Sequence, residues 1–247
     1  RLARRVRRLE AAAEQVAAGR FIEPLPIDSE DELGQLTRAF NEMQGKLARV
    51  DRARREFIAN ASHELRTPIF SLGGFVELLR DEELDDATRR EFLDTMAEQV
   101  ERLQKLATDL LDLSRLDAGS LDLTAEHVDL AELAGSVARE CGPALDQHGS
   151  KLALEMESGR VEAVCDPDRG AQIMRILLDN ALRHTPPGTD VEISAGRENG
   201  RVRIAVADSG PGLEEHARLH AFERFFTADG ASGSGLGLAI AKELAER

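Results

Sequence analysis

Residues 57–79 read FIANASHELRTPIFSLGGFVELL. The apolar positions Ile58, Ala61, Leu65, Ile69, Leu72, Val76 and Leu79 advance by threes and fours, the repeat of one face of an α-helix. Into this helix are set His63 and Glu64, followed by Arg66, Thr67 and Pro68. Thr67 falls one turn beyond His63 on the same face. Pro68 has no N–H to give and is expected to loosen or bend the helix just past the histidine. A titratable nucleophile, an acid and a hydroxyl therefore share one short span. These residues alone are equally consistent with a solvated histidine on a core helix.

Upstream, Leu2, Val6, Leu9, Ala13 and Val16 form the narrow seam of a first helix that Gly19 stops. Pro24 and Pro26 force an extended connector, with Leu25 and Ile27 as its apolar anchors. The acidic run Asp28-Ser29-Glu30-Asp31-Glu32 suits the start of a second helix. Its seam is Leu33, Leu36, Phe40, Met43, Leu47 and Val50, a heptad. Two such narrow seams cannot bury enough surface alone, so this unit is expected to pair with a copy of itself as a homodimer. Between Val50 and Ile58 the heptad slips by an extra four-residue step, a stutter that locally unwinds a coiled coil. We favour a signalling joint there over a merely straighter rod, because the slip lies just before His63.

Downstream, an acidic turn at 81–86 leads into a long helix with Phe92, Met96, Gln99, Leu103, Leu106, Leu110 and Leu113 on one face. Two helices joined by a short turn form an antiparallel hairpin, and two hairpins form a four-helix bundle. After Gly119 the periodicity changes. Strands are expected at 121–128, 151–156, 161–165, 190–197 and 201–207, and helices at 130–147, 168–184 and 239–246. The turn Glu198-Asn199-Gly200 marks a hairpin. Mixed helices and hairpin strands predict an α/β sandwich with helices on one face of a sheet.

A formal net charge of −14 over 247 residues argues against nucleic acid as a partner. Cys141 and Cys165 form no CxxC pair and read as buried, reduced thiols of an intracellular compartment. No run approaches the length of a membrane span. The opening RLARRVRRLE fits a segment that follows a membrane helix on its cytoplasmic side, or equally a solvated basic helix face.

Three clusters in the last third carry chemistry. Asn180 offers a neutral oxygen suited to Mg²⁺ arriving with phosphates, and Arg183 can meet a phosphate. Asp208-Ser209-Gly210-Pro211-Gly212 follows a strand, an acceptor with glycines that let backbone approach a polar ring edge. Gly233-Ser234-Gly235-Leu236-Gly237-Leu238 opens a helix, where backbone N–H groups can cradle phosphate.

In this order the clusters resemble the bacterial sensor histidine kinases. His63-Glu64-Leu65-Arg66-Thr67-Pro68 is similar to the family's H-box. The N-box falls at 176–186, the glycine boxes at 208–212 and 233–238, and Phe222-Glu223-Arg224-Phe225-Phe226 resembles the F-box. Asp31-Glu32-Leu33-Gly34-Gln35-Leu36 and Phe40-Asn41-Glu42-Met43 resemble the second helix of a HAMP domain. The resemblance implies a multidomain chain: a parallel all-α HAMP bundle at 1–50, a dimerisation and phosphotransfer hairpin at 51–118, and an ATP-binding α/β sandwich of the GHKL type at 119–247, without its terminal strands. It implies ATP and Mg²⁺ as cofactors, with Asp208 on the adenine and Asn180 on the metal. Arg183, His184, Gly210, Gly212, Arg224, Gly233, Gly235, Gly237 and Leu238 would complete the nucleotide site. His63 would attack the γ-phosphate with Glu64 as base, and the phosphoryl group would pass to an aspartate of a response-regulator receiver domain. Thr67 would position water for dephosphorylating that regulator. Segments before Arg1 would anchor the protein in the bacterial inner membrane, leaving this portion cytoplasmic.

The sequence also departs from the family pattern. Ile176 stands where many relatives carry an asparagine, and it cannot act as a water-activating carboxylate, which disfavours plain ATP hydrolysis. No basic residue occurs between Arg224 and Lys242, so Arg224 is the nearby candidate for the γ-phosphate charge. That depleted lid leaves a catalytically weak signalling scaffold as the alternative. Arg5 stands where relatives usually place a proline.

Overall fold

The computed structural model describes residues 2–81, 84–157, 161–227 and 233–247. It divides into two compact units, residues 1–63 and 64–247.

The first unit holds α1 (Leu2–Ala17) and the first part of α2 (Glu32–Asp81). Asp31 begins α2 by accepting from the Gly34 N–H at 2.9 Å, which supplies a partner for an otherwise orphaned first-turn donor. A side chain at Gly34 would lie 1.8 Å from the Ser29 carbonyl oxygen, so glycine is required at this close approach. The connector is strapped to α2 by Asn41, which accepts from Leu25 N at 2.9 Å and donates to Leu25 O at 2.8 Å. Arg5, in the position expected to be proline, grips both oxygens of Asp31 at 2.8 Å. That contact, with Ser29 and the Gly34 N–H, holds the Asp31 carboxyl well below the usual carboxylate range. Phe40 is buried, whereas Leu36, Met43, Leu47 and Val50 of the seam are exposed.

Helix α2 is continuous from Glu32 to Asp81, with Pro68 inside it. Pro68, expected to loosen or bend the helix, does not interrupt it and is buried. Helix α3 (Asp86–Asp117) is capped by Asp85, which accepts from Ala87 and Thr88 N–H, each at 2.9 Å. Part of the turn between the helices, residues 82–83, lies outside the described residues. Phe75 and Phe92 join the two helices with ring centroids 5.2 Å apart.

The rest of the second unit runs β1 (Glu126–Asp129), α4 (Leu130–His148), β2 (Leu152–Met156), β3 (Glu162–Cys165), α5 (Pro167–His184), β4 (Val191–Glu198), β5 (Arg201–Asp208), α6 (Glu215–His220) and α7 (Gly237–Ala245). Among the described residues the strands form two sheets, where a single sheet was expected. In one, β2 pairs parallel with β4, which pairs antiparallel with β5; in the other, β1 pairs antiparallel with β3. The strand expected at 121–128 shortens to β1, and α6 was not anticipated. Between β4 and β5, Asn199 and Gly200 both take positive φ, 53° and 77°, as a two-residue primed hairpin turn demands. Cys141 and Cys165 are free thiols, half-buried rather than fully buried.

Helices α4 and α5 lay Ala134, Val137, Ala171, Met174, Leu178 and Ala181 against Val191 and Ile193 of β4. Leu178 is at 0% exposure in this layer. Replacing it by alanine leaves a cavity as well as losing apolar burial, and is expected to cost about 2–5 kcal/mol. A calorimetric melt should show the α/β portion unfolding roughly 10 °C lower.

Candidate nucleotide site

The same α5 that fills the core with Met174 and Leu178 turns Ile176, Asp179, Asn180, Arg183 and His184 to a cleft on its other side. Helical spacing explains the division: positions three and four apart share a face, and the two sets are offset by about half a turn. The opposite wall is Gly233, Ser234, Gly235, Gly237 and Leu238, running into α7. Leu213, Ala217, Ala221 and Phe226 form an apolar end, and Lys105 and Asp109 reach in from α3.

The glycine segment is shaped by its own backbone. Gly235 has φ +64°, and its carbonyl accepts from Phe225 N at 2.8 Å. Phe225 itself has φ +64°, an outlier for a bulky residue. Among the described residues no side chain caps the start of α7, so its first N–H groups are available to an anionic ligand.

Charge in the cleft centres on Asp179. Its Oδ1 accepts from Arg183 Nε at 2.8 Å, and its Oδ2 pairs with Lys105. Burial alone would raise the Asp179 carboxyl, but these two partners outweigh it and hold the group below its ordinary value. Asp109 behaves oppositely: burial pushes it up, and the Ser234 hydroxyl, donating at 3.0 Å, only partly offsets this. A raised carboxyl costs folded stability once it must ionise, so the loss sets in as pH rises from the unfolded value of about 3.9 through the folded one. Asp109→Asn is therefore expected to stabilise the protein at pH 7, with the gain vanishing near pH 4. Urea midpoints at the two pH values measure it, and an equal gain at both would contradict the assignment.

Of the nucleotide residues expected from sequence, Asn180, Arg183, His184, Gly233, Gly235, Gly237 and Leu238 line this cleft. Asp208, Gly210, Gly212 and Arg224 are not among its lining residues. Asp208 Oδ1 accepts from Gly210 N at 2.9 Å, and a side chain at Gly210 would sit 2.6 Å from Thr185 Cγ2, just beyond His184. Arg224, expected to carry the γ-phosphate charge, instead donates to Asp117 at 2.6 and 2.8 Å and pairs with Glu243. The lid residues 228–232 lie outside the described residues. His63 and Thr67 are exposed on α2, and Glu64 accepts from Arg102 of α3 at 3.2 Å. Lys105, Asp109 and Arg102 were not singled out from sequence; their helix reads only as an apolar seam.

The donor set of the cleft fits a nucleotide with Mg²⁺. Among the described residues no cluster of three or more His, Cys, Asp or Glu could hold a metal by itself. Mg²⁺ bound with a phosphate chain keeps several waters and needs only one or two protein oxygens, as Asn180 offers.

Comparison with known proteins matches three family models in order along the chain. Residues 1–49 match the HAMP domain, 53–119 the His Kinase A (phospho-acceptor) domain, and 165–247 the Histidine kinase-, DNA gyrase B-, and HSP90-like ATPase. The signal transduction histidine-protein kinase BaeS of Escherichia coli (strain K12) is 37% identical over 98% of this chain and 52% of that protein. The sensor histidine kinase MtrB of Mycolicibacterium paratuberculosis is 33% identical over 96% of this chain and 44% of that protein. The chain thus spans about half the length of these curated relatives. Among solved structures, the Acinetobacter baumannii histidine kinase AdeS superposes with a TM-score of 0.60 at 30% identity, covering 74% of this chain and 85% of that one. Full-length ShkA in complex with AMPPNP gives 0.57 at 32% identity, covering 77% of this chain and 40% of that one. Histidine kinase ThkA in complex with response regulator protein TrrA shares the fold, with a TM-score of 0.65 at 23% identity over 81% of this chain and 58% of that one.

Proposed function

Since the chain belongs to the bacterial sensor histidine kinases, we propose that it is the ATP-dependent signalling core of a two-component sensor, phosphorylated on His63. The observation that carries this is the cleft in which α5 sets Asn180, Arg183 and His184 opposite the glycine segment and the uncapped start of α7. ATP binds there. Arg183 and the first N–H groups of α7 meet its phosphates, Asn180 would hold Mg²⁺, and Asp208, which lies outside the cleft's own lining, would accept from an adenine amino group reaching past His184. Mg²⁺ neutralises charge that builds on the phosphate chain during transfer.

The unprotonated ring nitrogen of His63 attacks the γ-phosphorus. The bond from that phosphorus to the β–γ bridging oxygen breaks, ADP leaves, and Glu64 takes the ring proton. Arg102 orients Glu64 for this work. The phosphoryl group passes from His63 to an aspartate of a receiver domain, and Thr67 positions water for the reverse control, removal of phosphate from that regulator.

The working form is a homodimer, with a HAMP unit over 1–50, the phosphotransfer hairpin over 51–118 and the ATP-binding portion from 119. In the single chain the seam residues Val50, Ile58, Ile69 and Val76 stay exposed, which a second copy would cover in a four-helix bundle. Segments preceding Arg1 hold this cytoplasmic portion at the inner membrane.

Incubation with Mg²⁺ and γ-labelled ATP, followed by addition of a receiver domain, tests the reading. Label should appear on the chain and then leave it for the receiver. Steady phosphate release with no labelled protein would replace the kinase with an ATPase, and bound ATP with neither product would leave a scaffold.

A further inference from the structure

Beside the nucleotide cleft lies a second cavity of about 500 Å³, bounded by Glu64, Arg102, Lys105, Arg183, Gly233 and Ser234 among others. Lys105, Arg183, Gly233 and Ser234 line both spaces. This common wall includes Gly233 and Ser234 of the glycine segment; Glu64 lines the second cavity, whereas Leu213 and Ala217 line the nucleotide cleft alone. The last phosphate of a nucleotide seated in the cleft would face it.

A terminal phosphate there would draw positive charge, and the segment leading into α7 carries none. No basic residue occurs between Arg224 and Lys242. Arg224 is held by Asp117 and Glu243, and Lys242 lines a separate pocket with Glu246 and Arg247. Among the described residues the cleft's permanently charged cations are Lys105 and Arg183. Both rest on the one carboxylate of Asp179. Arg183 is carried by α5 itself, within a turn of Asn180. Lys105 comes from α3 of the hairpin, on a flexible four-carbon stem with three rotatable donors.

We propose that Lys105 is the γ-phosphate-binding residue of this protein, supplied by the hairpin, with Asp179 as its resting partner. This rests on the nucleotide reading of the cleft. Binding of ATP exchanges the Asp179 carboxylate for a terminal phosphate oxygen, and ADP, which lacks that phosphate, leaves the Lys105–Asp179 pair in place. The hairpin thereby distinguishes the triphosphate from the diphosphate before any phosphoryl transfer.

Calorimetric titration of the whole chain with ATP and with ADP, both with Mg²⁺, tests the assignment. Lys105→Gln should weaken ATP binding about tenfold, as loss of one charged hydrogen bond does, while ADP affinity changes less than about twofold. Lys105→Arg should restore ATP binding, and Lys105→Glu should weaken it further than glutamine does. ADP is the internal control for folding, because partial unfolding lowers both affinities together. Equal changes for the two nucleotides, or none, overturn the proposal. Tighter binding of both also overturns it, and would make the pair a latch across the cleft. If the parent chain binds neither nucleotide, the reading of the cleft itself falls, an outcome visible without any variant.

Discussion

His63→Gln is expected to acquire no acid-labile, base-stable label from γ-labelled ATP, under conditions where the parent chain labels readily. A phosphorus–nitrogen bond to imidazole is cleaved by acid and survives alkali, the reverse of a serine phosphate, so the stability of the label reports the kind of residue carrying it. Glutamine is a sound replacement: it is polar, of similar reach and a good helix former, so the exposed site on α2 should tolerate it. Nucleotide affinity should then equal that of the parent, separating loss of the acceptor from loss of the binding site. The control matters because His184 lines the cleft itself. Persistent acid-labile label in His63→Gln would place the acceptor on His184 or another of the six histidines, and the role of His63 would be wrong.

Gly235→Ala should abolish nucleotide binding, by at least about a hundredfold, while leaving the helical portion folded. An added methyl would lie 2.6 Å from the Phe225 carbonyl carbon, 2.8 Å from its Cα and 2.8 Å from the Phe226 oxygen. All three atoms are backbone, so no rotamer change relieves the overlap. Phe225 is also bound to Gly235 by its N–H and already sits at positive φ. Left-handed backbone costs alanine about 1 kcal/mol before any overlap is counted. The segment must therefore move, and the N–H groups that it directs into the cleft move with it. Gly233→Ala is the informative contrast. That residue also has positive φ, but a side chain there meets nothing within 4 Å among the described residues, so the conformational cost dominates and binding should fall far less. Comparable losses for the two variants would show that overlap with Phe225 is not the cause.

Elements held by local periodicity were legible in the amino-acid sequence. The apolar steps around His63, the run from Phe92 to Leu113 and the Asn199-Gly200 turn each carry their signal within a few residues. Asn180, Arg183 and the glycines of the last segment were legible for the same reason, as donors at the end of one helix and the start of another. What escaped depends on partners far apart in the chain. Arg224 looked like a cation without a rival, and nothing near it announces Asp117, a partner 107 residues away. Lys105 lies on a helix whose pattern speaks only of packing, and its pairing with Asp179 spans 74 residues. Helix α6 has six residues, too few for a periodic signal. Pro68 lies inside α2 without ending it, and its side chain is buried.

That unbroken helix has a consequence of phase. It carries Val50 and His63 on one continuous backbone ladder, with no loop between them to absorb a twist. Because successive residues are turned by about 100°, the direction in which His63 points is fixed by how many residues separate it from Val50. One residue added between them would swing the imidazole by more than a quarter turn from the upstream seam, whereas seven would return it almost to its bearing. The spacing of that interval is thus a clock setting rather than a length, and chemistry at His63 depends on the count being kept.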